Sequence, residues 1–537
     1  MGVADRLEGL SAIARSGILR PIRPDRLVKM VREAGKYGQT AAAACGLSAA
    51  RYPDGGAVID EHGTLSWRDL DQRTDAIAAE LGLGPGDVVG ILCRNHRGFV
   101  ETMVIAAKLG LDVVLLNTGF AAPQLGEVAR REGVTVLVHD RSFATIVEES
   151  GLAGEVRTIP GWPVDLPGTE HAGARPSPPT PSRHGGVVIL SSGTTGTPKG
   201  AKRTLGAEGG GAARSGVAQS LGMLTRLPIR ARDTTLIAAP LFHTWGLSNF
   251  LLCATFSSPM VLQERFEPED VLAAIERHRV GTLVAVPAML QRILALPADV
   301  RRRHDTSSLR LVALSGSALP GGLATRWMDA FGDNLHSLYG STEVAAVAIA
   351  GPEDLRAAPD TAGPIVTGVD VRLLDDSGAE VRASIGTTGR IFVRSDLLFE
   401  GYTGGGNKAM IDGFMSSGDV GHFDAAGRLF VDGREDDMIV SGGENVFPQE
   451  VEEVILSMAG VADAAVVGVK DPQFGQRLRA IIVPAAADAP TVDAVRDHVR
   501  SQLANFKVPR DVVFRDELPR NTTGKVLRRV LIEEAEA

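Results

Sequence analysis

The chain has 537 residues, more than one hydrophobic core usually serves, so we expect at least two domains. Its composition is 44% hydrophobic and 23% charged, as in ordinary globular proteins, and the net charge of −9 argues against a nucleic-acid partner. Cys45, Cys93 and Cys253 are far apart and lack metal-ligand spacing, which argues against a disulfide framework or a thiolate metal site. Because no apolar run approaches the roughly 20 residues of a membrane span and the N-terminus has no signal-peptide pattern, we expect a cytoplasmic protein.

Residues 1–36 form a basic arm, with eight Lys or Arg against four Asp or Glu. Leu7, Leu10, Ile13 and Ile18 are loosely spaced, as on one face of a helix. A basic amphipathic arm predicts peripheral contact with an anionic membrane surface. The alternative is that the arm packs on its own domain. We treat residues 1–40 as an N-terminal extension.

Strands and helices alternate beyond the arm. Ser66, followed three residues later by Asp69, predicts a capping box that opens a helix. Apolar runs at 88–93 and 113–116 predict buried strands, with a helix around Val104 between them. Buried strands separated by helices imply a parallel sheet covered on both faces, and therefore an α/β fold.

A loop rich in glycine and hydroxyl groups, Ser191 to Gly200, directly follows the apolar run 187–190. Backbone N–H groups and hydroxyls in such a loop can surround a phosphate chain. The loop is not a Walker A motif, because Pro198 and Gly200 flank Lys199 where that motif needs Gly and Ser or Thr. The sequence therefore predicts a nucleotide site that is not of the P-loop type; the alternative is a flexible linker.

A compact C-terminal unit is predicted after residue 433. Met438 to Val440 reads as a strand, and Pro448 opens an amphipathic helix. A second amphipathic helix is predicted from the spacing of Val492, Val495, Val499, Leu503 and Phe506. We place a large domain at 41–433, a hinge at 434–437 and a small domain at 438–537.

Four further motifs follow the glycine loop in a fixed order. They are Tyr339-Gly340-Ser341-Thr342-Glu343, Ser417-Gly418-Asp419-Val420-Gly421, Gly433-Arg434-Glu435-Asp436-Asp437 and Pro519-Arg520-Asn521-Thr522-Thr523-Gly524-Lys525. With these motifs the chain, from about residue 55 to its end, closely resembles the adenylate-forming superfamily of acyl- and aryl-CoA synthetases, luciferases and peptide-synthetase adenylation domains. The resemblance implies an α/β fold with a large N-terminal domain of αβ-layered subdomains and a smaller, mobile C-terminal α+β domain.

The resemblance also implies which residues bind ATP. A carboxylate that attacks the α-phosphate develops negative charge, so cations matter more there than a general base. Thr342 would contact the α-phosphate, Glu343 would hold Mg²⁺, and Lys525 would bridge the carboxylate and the α-phosphate. The other expected ATP- and AMP-binding residues are Ser192, Gly193, Thr194, Thr195, Gly196, Lys199, Gly316, Ser317, Ala318, Tyr339, Gly340, Asp419 and Arg434.

Several of these residues have an expected individual role and an ordinary alternative. By resemblance Tyr339 would stack on adenine, and Asp419 and Arg434 would bind the ribose hydroxyls. Taken alone, Tyr339 could be a core residue, Glu343 and Asp419 solvated loop acids, and Arg434 a surface arginine.

The resemblance assigns three further groups of residues. The acyl pocket would be lined by His243, Trp245 and Gly246, with His243 acting as neither acid nor base. Asp436 would be the hinge about which the small domain turns, carrying Lys525 away after adenylation. Coenzyme A would then pass Gly442 and Gly443.

The sequence departs from the family pattern in two places. Thr204-Leu205 stands where members commonly have Thr-His, which affects the expected start of the local helix, and the first 40 or so residues have no counterpart in smaller members. No long insertion follows Glu343, which favours a CoA thioester as product. We expect an ATP-dependent acyl-CoA synthetase that uses Mg²⁺ and coenzyme A, with a medium- or long-chain fatty acid as substrate. The alternatives are an aryl-CoA ligase, an enzyme that loads a carrier protein, and a non-catalytic nucleotide-binding protein; an oligomer is compatible with all of them.

Overall fold

The computed structural model describes residues 3–160, 177–191, 199–203, 222–381, 387–441, 444–471, 475–485, 489–522 and 524–536. The chain divides into two compact units. Unit 1 comprises Met1–Ser315 and Asp396–Asn407, and unit 2 comprises Gly316–Ser395 and Lys408–Ala537. Unit 2 therefore contains the whole predicted small domain together with residues 316–395 and 408–437; the boundaries we placed from sequence stay predictions.

Unit 1 alternates helices and strands along most of its length. Its helices are α1 Val3–Ser16, α2 Pro24–Tyr37, α3 Ala41–Arg51, α4 Trp67–Glu80, α5 Arg97–Leu109, α6 Ala122–Arg131, α7 Ala144–Glu149, α8 Thr244–Phe256, α9 Pro268–His278, α10 Pro287–Ala295 and α11 Ala298–Arg301. Its strands are β1 Gly56–Asp60, β2 Gly63–Ser66, β3 Val88–Leu92, β4 Asp112–Leu115, β5 Val136–His139, β6 Arg157–Pro160, β7 Val187–Ser191, β8 Lys199–Arg203, β9 Thr235–Ile237, β10 Met260–Leu262, β11 Thr282–Ala285 and β12 Leu311–Leu314.

Two sheets organise unit 1. One has the strand order β6-β5-β3-β4-β7-β8, and the other contains β12-β11-β9-β10-β1-β2. Neighbouring strands within these orders are parallel except for the pairs β7–β8 and β1–β2. The predicted parallel α/β sheet is confirmed, because the two apolar runs form the parallel strands β3 and β4, and β5 beside β3 is buried as they are.

The predicted helix signals also hold in unit 1. The Ser66 hydroxyl accepts from the Asp69 N–H at 3.1 Å, and the Asp69 carboxylate accepts from the Ser66 N–H at 3.0 Å, so the capping box is complete. The helix expected around Val104 is α5, which is buried along most of its length. In the part of the chain that the structure describes, no helix is both long and apolar enough to cross a bilayer.

The N-terminal extension is helical, and its inner side is fixed to the rest of unit 1 by polar contacts. Lys36 Nζ donates to the Pro178 carbonyl at 2.6 Å, while the hydroxyl of buried Tyr37 lies 3.3 Å from that of Ser177. Ser177 in turn donates to Asp75, which accepts from the buried ammonium of Lys108 at 2.6 Å. Since a buried ammonium must be paired, this network ties α2 to α4 and α5.

Unit 2 is dominated by antiparallel pairing. Its helices are α12 Gly321–Phe331, α13 Pro352–Ala357, α14 Pro448–Leu456, α15 Val492–Gln502 and α16 Arg528–Glu536. Its strands are β13 Leu335–Ser341, β14 Ala345–Ala350, β15 Gly363–Pro364, β16 Asp370–Leu374, β17 Gly389–Arg394, β18 Met410–Ile411, β19 Phe414–Phe423, β20 Arg428–Arg434, β21 Ile439–Ser441, β22 Glu444–Val446, β23 Val461–Asp471, β24 Gly475–Pro484 and β25 Asp511–Phe514. One sheet has the order β15-β20-β19-β17-β16 with β18 on β19, and another the order β22-β21-β24-β23 with β25 on β24.

The second C-terminal helix is shorter than the sequence predicts. The helix α14 begins at Pro448 as expected, but α15 ends at Gln502, where Leu503 turns to an extended conformation. Phe506 was expected to continue the apolar face, yet it lies beyond the helix in a short 3₁₀ turn and is 41% exposed. The helical spacing of apolar residues in the sequence therefore extends beyond the end of the helix itself.

A cluster of carboxylates lies where α14 contacts α12 and β20. Burial, together with the nearby charges of Asp360, Glu452 and Asp432, raises the pKa of Glu453 from 4.5 to about 7, while a hydrogen bond from Gln449 at 3.2 Å opposes the shift. Because the folded state holds this proton more tightly than the unfolded chain, the stabilising contribution is present at acidic pH and is lost as pH rises towards 7.

Replacing Glu453 with Gln should remove this pH dependence. We expect the wild type to lose about 2–3 kcal/mol of stability between roughly pH 5 and pH 8 through this group, and Glu453→Gln to lose correspondingly less. Thermal unfolding across this pH range measures the effect, with the exposed Glu517→Gln as the control. Parallel pH profiles for wild type and Glu453→Gln would contradict the assignment.

Candidate active site

The strands on either side of the predicted phosphate loop pair with each other. Ser191 at the end of β7 lies opposite Lys199 at the start of β8, so the loop joins two antiparallel strands. The loop residues Ser192, Gly193, Thr194, Thr195, Gly196, Thr197 and Pro198 lie outside the described residues. Lys199 is described: its exposed ammonium lies 5.2 Å from the ring centre of Tyr402.

The strand that leaves the loop is packed closely against residues 402–403. The Thr403 N–H donates to the Gly200 carbonyl at 2.8 Å, and a Cβ on Gly200 would approach Thr403 Oγ1 to 2.5 Å. Only glycine fits there without displacing its neighbours. The base of the loop is thereby fixed within unit 1.

The predicted acyl-pocket residues lie at the start of α8. His243 occupies the N-cap position, followed by Trp245 and Gly246 in the first turn. A Cβ on Gly246 would come within 2.2 Å of the Pro240 carbonyl oxygen, so glycine is required for this turn to pack on the preceding segment. Trp245 Nε1 donates to the Ala285 carbonyl at 3.1 Å, which fixes the indole ring.

His243 carries an uncharged imidazole ring, and one of its ring nitrogens has no hydrogen-bond partner among the described residues. Burial lowers the pKa of His243 to about 4, so the imidazole is uncharged at neutral pH. Its ring packs at 4.5 Å from that of Phe242, and among the described residues its buried Nε2 has no hydrogen-bond partner. A buried polar atom without a partner costs free energy, which a bound substrate can recover.

Asn95 holds in place the segment just before His243, a role that the sequence did not predict. Its buried amide donates to the carbonyls of Ile237 and Ala239 at 3.0 and 2.9 Å, and its carbonyl accepts from the Leu241 N–H at 2.9 Å. One side chain thus satisfies three backbone groups just before His243. A polar residue shortly after the buried strand β3 was the available signal, since ligands bind beyond the carboxyl ends of parallel strands.

Three residues near Asn95 could be taken for a metal site, but their side chains are arranged as a hydrogen-bond network. Cys93, His96 and Asp140 bring potential ligand atoms within 4.8 Å of one another. However, His96 Nδ1 accepts from the Gly98 N–H at 3.0 Å, which leaves Nε2 to donate to Asp140 at 2.7 Å. Burial raises the pKa of the Cys93 thiol well above its usual range, so no thiolate is supplied.

In unit 2 the largely buried carboxylate of Asp419 joins two other predicted residues, Tyr339 and Arg434. The Tyr339 hydroxyl donates to Asp419 Oδ2 at 2.6 Å, and Arg434 Nη1 lies 3.7 Å from Asp419 Oδ1. Asp419 and Arg434 are directly opposite in the β19–β20 ladder. Burial raises the pKa of Asp419, which Tyr339 and Arg434 oppose, and burial beside Asp419 raises the pKa of Tyr339 well above its usual range, so the phenol remains a donor.

A tight turn between β13 and β14 presents Thr342 and Glu343. A Cβ on Gly340 would approach the Ala345 carbonyl oxygen to 2.0 Å, so this position requires glycine. The Ser341 hydroxyl accepts from the N–H groups of Glu343 and Val344 at 3.2 and 3.3 Å. The turn is therefore held by its own backbone and by Ser341.

Lys525 is carried by a second tight turn. Asn521 accepts from the Lys525 N–H through its side chain at 2.8 Å and donates its own N–H to the Lys525 carbonyl at 2.9 Å. Gly524, at a φ of 78°, closes the turn. Burial lowers the pKa of Lys525, as does the charge of Arg434, while Asp437 and Asp436 oppose the shift. The lysine thus lies close enough to Arg434 and the predicted hinge to feel their charges.

The remaining predicted residues are placed as follows. Gly316, with a φ of 94°, Ser317 and Ala318 form an exposed stretch ahead of α12. Asp436 accepts from Arg434 Nε at 2.8 Å within a short 3₁₀ turn. Gly442 and Gly443 lie outside the described residues, between Ser441 and Glu444, which pair with each other.

Comparison with known proteins agrees with this architecture. The chain matches the AMP-binding enzyme family over residues 47–403 and the AMP-binding enzyme C-terminal domain over residues 450–525. It is 33% identical over 482 residues to a feruloyl-CoA synthase from an Amycolatopsis species, covering 88% of this chain and 94% of the relative. It is 32% identical over 489 residues to a 2-succinylbenzoate–CoA ligase from Geobacillus kaustophilus, covering 89% and 95%. A crystal structure of an anthranilate CoA ligase with anthranoyl-AMP superposes with a TM-score of 0.81 at 25% identity, covering 92% and 97%.

These matches define the class. The mixed α/β fold with a larger N-terminal and a smaller C-terminal domain is that of adenylate-forming enzymes, as the resemblance implied. The chain belongs to the AMP-binding enzyme family, and it is an ATP-dependent, AMP-forming acyl- or aryl-CoA ligase.

Removing the Asn95 amide should loosen the segment that carries His243. We expect Asn95→Ala to cost about 2–4 kcal/mol of stability, because it leaves buried backbone groups unpaired, and to raise KM for the acid more than KM for ATP. Thermal unfolding and steady-state kinetics measure both effects. Asn334→Ala, which also removes a buried amide, is the control; an equal effect of both variants on KM for the acid would contradict a positioning role for Asn95.

Proposed function

We propose that this ligase joins an aromatic or other cyclic carboxylic acid to coenzyme A, in preference to the medium- or long-chain fatty acid expected from sequence. In the first step the acid carboxylate attacks the α-phosphorus of ATP, giving acyl-AMP and pyrophosphate. In the second the sulfur of coenzyme A attacks the acyl carbon, giving acyl-CoA and AMP as the thiol loses its proton. The observation that carries the adenylating part is the contact of Tyr339, Arg434 and Asp419 close to Lys525.

The chemistry of that cluster suits a nucleotide. Asp419 offers carboxylate oxygens to ribose hydroxyls, and Tyr339 and Arg434 fix its orientation. Arg434 stays charged, because its pKa is raised by Asp436 and Asp419 against the effect of burial. Lys525 supplies a mobile point charge, which suits a lysine better than the planar fork of an arginine. The carboxylate of the substrate acid is already ionised at neutral pH, so no general base is needed. Lys525 would orient this carboxylate and offset the negative charge that develops at the α-phosphate.

The donor set fits a magnesium ion. Glu343 is half-buried in the turn that Ser341 braces, and a carboxylate oxygen is a ligand that Mg²⁺ prefers. When bound there, Mg²⁺ would offset negative charge on the phosphates. Thr342 beside it would donate to the α-phosphate, and Lys199 and the loop before it would contact the departing pyrophosphate.

The proposed substrate class rests on the pocket segment and on the relatives. His243, Phe242 and Trp245 place three rings in one short segment, with the indole of Trp245 fixed by Ala285. Aromatic faces of this kind favour a flat ring over a flexible chain. The orphaned Nε2 of neutral His243 suits a substrate with a polar group. The named relatives act on ferulate, 2-succinylbenzoate and anthranilate, which supports the same choice.

A panel of acids tests the substrate class. Pyrophosphate release and AMP formation are measured with benzoate, cinnamate and indoleacetate homologues and with straight-chain acids from acetate to palmitate, each with and without coenzyme A. We expect kcat/KM at least tenfold higher for the best ring-bearing acid than for the best straight-chain acid. A higher kcat/KM for a straight-chain acid would show that the substrate is a fatty acid. Thioester formation with a carrier protein but not with coenzyme A would show that the acceptor is a carrier protein.

Loss of Lys525 should separate the two half-reactions. Lys525→Ala is expected to slow formation of acyl-AMP by about 100-fold to 1000-fold, the range found when one charge-stabilising donor is removed. Formation of acyl-CoA from supplied acyl-AMP should stay within a few fold of wild type. Single-turnover assays of each step measure this, with exposed Lys470→Ala as the control. An equal loss in both steps would contradict the proposed role.

The pH dependence of adenylation gives a second readout within the same experiment. The pKa of Lys525 lies below the roughly 10.4 of a free lysine, so adenylation should decline with rising pH before that value. The alkaline decline should be absent from the residual rate of Lys525→Ala.

A further inference from the structure

We infer that the outer face of the N-terminal extension is a docking surface for an anionic phospholipid bilayer. We call it the α2 face and define it by the apolar side chains Leu19, Leu27, Val28 and Val31 together with the cations Lys29 and Arg32. The inference goes beyond the ligase activity and does not depend on which acid is used.

The helix α2 has its polarity reversed relative to an ordinary surface helix. Leu27, Val28 and Val31 are 51%, 70% and 67% exposed, while Tyr37 is buried. On the inner side Arg26 donates to the Arg51 carbonyl at 2.8 Å. Surface helices usually direct their apolar stripe to the core and their charges to solvent. Here charged and polar groups hold the helix in place and the apolar stripe faces outward.

Glu33 shows the same reversal. Its half-buried carboxylate lies on the inner side, where a Cβ on Gly46 would approach Glu33 Oε2 to 2.8 Å. Burial raises the pKa of this carboxyl. A helix that turns a carboxylate inward and exposes a row of aliphatic side chains is not arranged for contact with water alone.

The exposed apolar groups of unit 1 are concentrated in this extension. Among the described residues, the large apolar side chains that unit 1 exposes strongly are Leu10, Leu19, Leu27, Val28 and Val31. All of them fall between residues 10 and 31. Scattered exposed apolar residues are normal, but a contiguous group marks an interaction surface.

Charge decides which partner fits this surface. Residues 15–36 carry seven Lys or Arg against two acids, in a chain whose net charge is −9. Arg20, Lys29 and Arg32 are exposed, and none of them has an ion-pair partner among the described residues. Cations beside an exposed apolar stripe match an anionic headgroup layer over acyl chains. A second copy of this face would bring like charges together, so the chemistry favours the bilayer.

Vesicle co-sedimentation of the full chain tests this inference. We expect binding to vesicles of phosphatidylcholine mixed with phosphatidylglycerol, weaker binding at high salt, and little binding to phosphatidylcholine alone. Reversing Lys29 and Arg32 to Glu should weaken the partition coefficient by roughly 30-fold or more, since each cation near an anionic surface is worth about fivefold. Leu27→Ser with Val31→Ser should weaken it by at least tenfold.

The control and the contrary outcomes are defined by the same measurements. Arg265→Glu with Arg302→Glu reverses two exposed arginines of unit 1 outside the extension and should leave binding within about twofold. Thermal unfolding and ligase activity without lipid should be unchanged in all variants, because the altered side chains are exposed. Equal binding to neutral and anionic vesicles, equal loss in the control, or no binding would overturn the inference. A dimer in sedimentation that Leu27→Ser with Val31→Ser dissociates would replace the bilayer with a second copy.

Discussion

The candidate site in unit 2 depends on one buried carboxylate that is paired across an antiparallel ladder. Asp419 on β19 lies opposite Arg434 on β20, and the Tyr339 hydroxyl reaches it from β13. A buried charge without partners would be expensive, so these three groups hold one another in a single arrangement. Because β20 ends at Arg434, the same pairing fixes where the chain enters the predicted hinge. One contact therefore sets the positions of the predicted nucleotide-binding residues and the start of the predicted small domain.

The corresponding constraint in unit 1 is a neutral one. Asn95 satisfies three backbone groups at residues 237–241, and Gly246 leaves no room for a Cβ against Pro240. These contacts hold the segment that carries His243 without burying a charge. A charged residue in place of Asn95 would change the electrostatics of the predicted acyl site, which would accept a carboxylate, whereas an amide and a glycine do not. The candidate residues of unit 2 are thus positioned by a charged pair, and those of unit 1 by neutral hydrogen bonds and close packing.

Much of the fold and part of the candidate site could be predicted from local sequence. The capping box at Ser66, the buried strand β7 before the glycine loop and the start of α14 at Pro448 depend on residues close together in the chain. Asn95 was missed because its partners are 142 to 146 residues away, and no spacing rule reports such a contact. The prediction for Phe506 was wrong because it relied on local spacing alone. The spacing fits a continuing helix, but the backbone becomes extended at Leu503. The motifs left the substrate open between fatty and aromatic acids, because they contain the residues predicted to bind the nucleotide and not those that would contact the acid.

Arg434 contacts one carboxylate on each side of the start of the predicted hinge. Its guanidinium faces Asp419 within the ladder and donates to Asp436 beyond it. The Arg434–Asp436 pair is partly exposed, with Asp436 at 42%, and such pairs are worth only about 0–1 kcal/mol. If the small domain turns about Asp436, that pair can break at little cost while the ladder keeps Asp419 and Arg434 together. Lys525, held by a local turn at Asn521, would then move as a unit with its domain. The predicted nucleotide contacts would then stay in place while the lysine moves, as the proposed two-step reaction at one site requires.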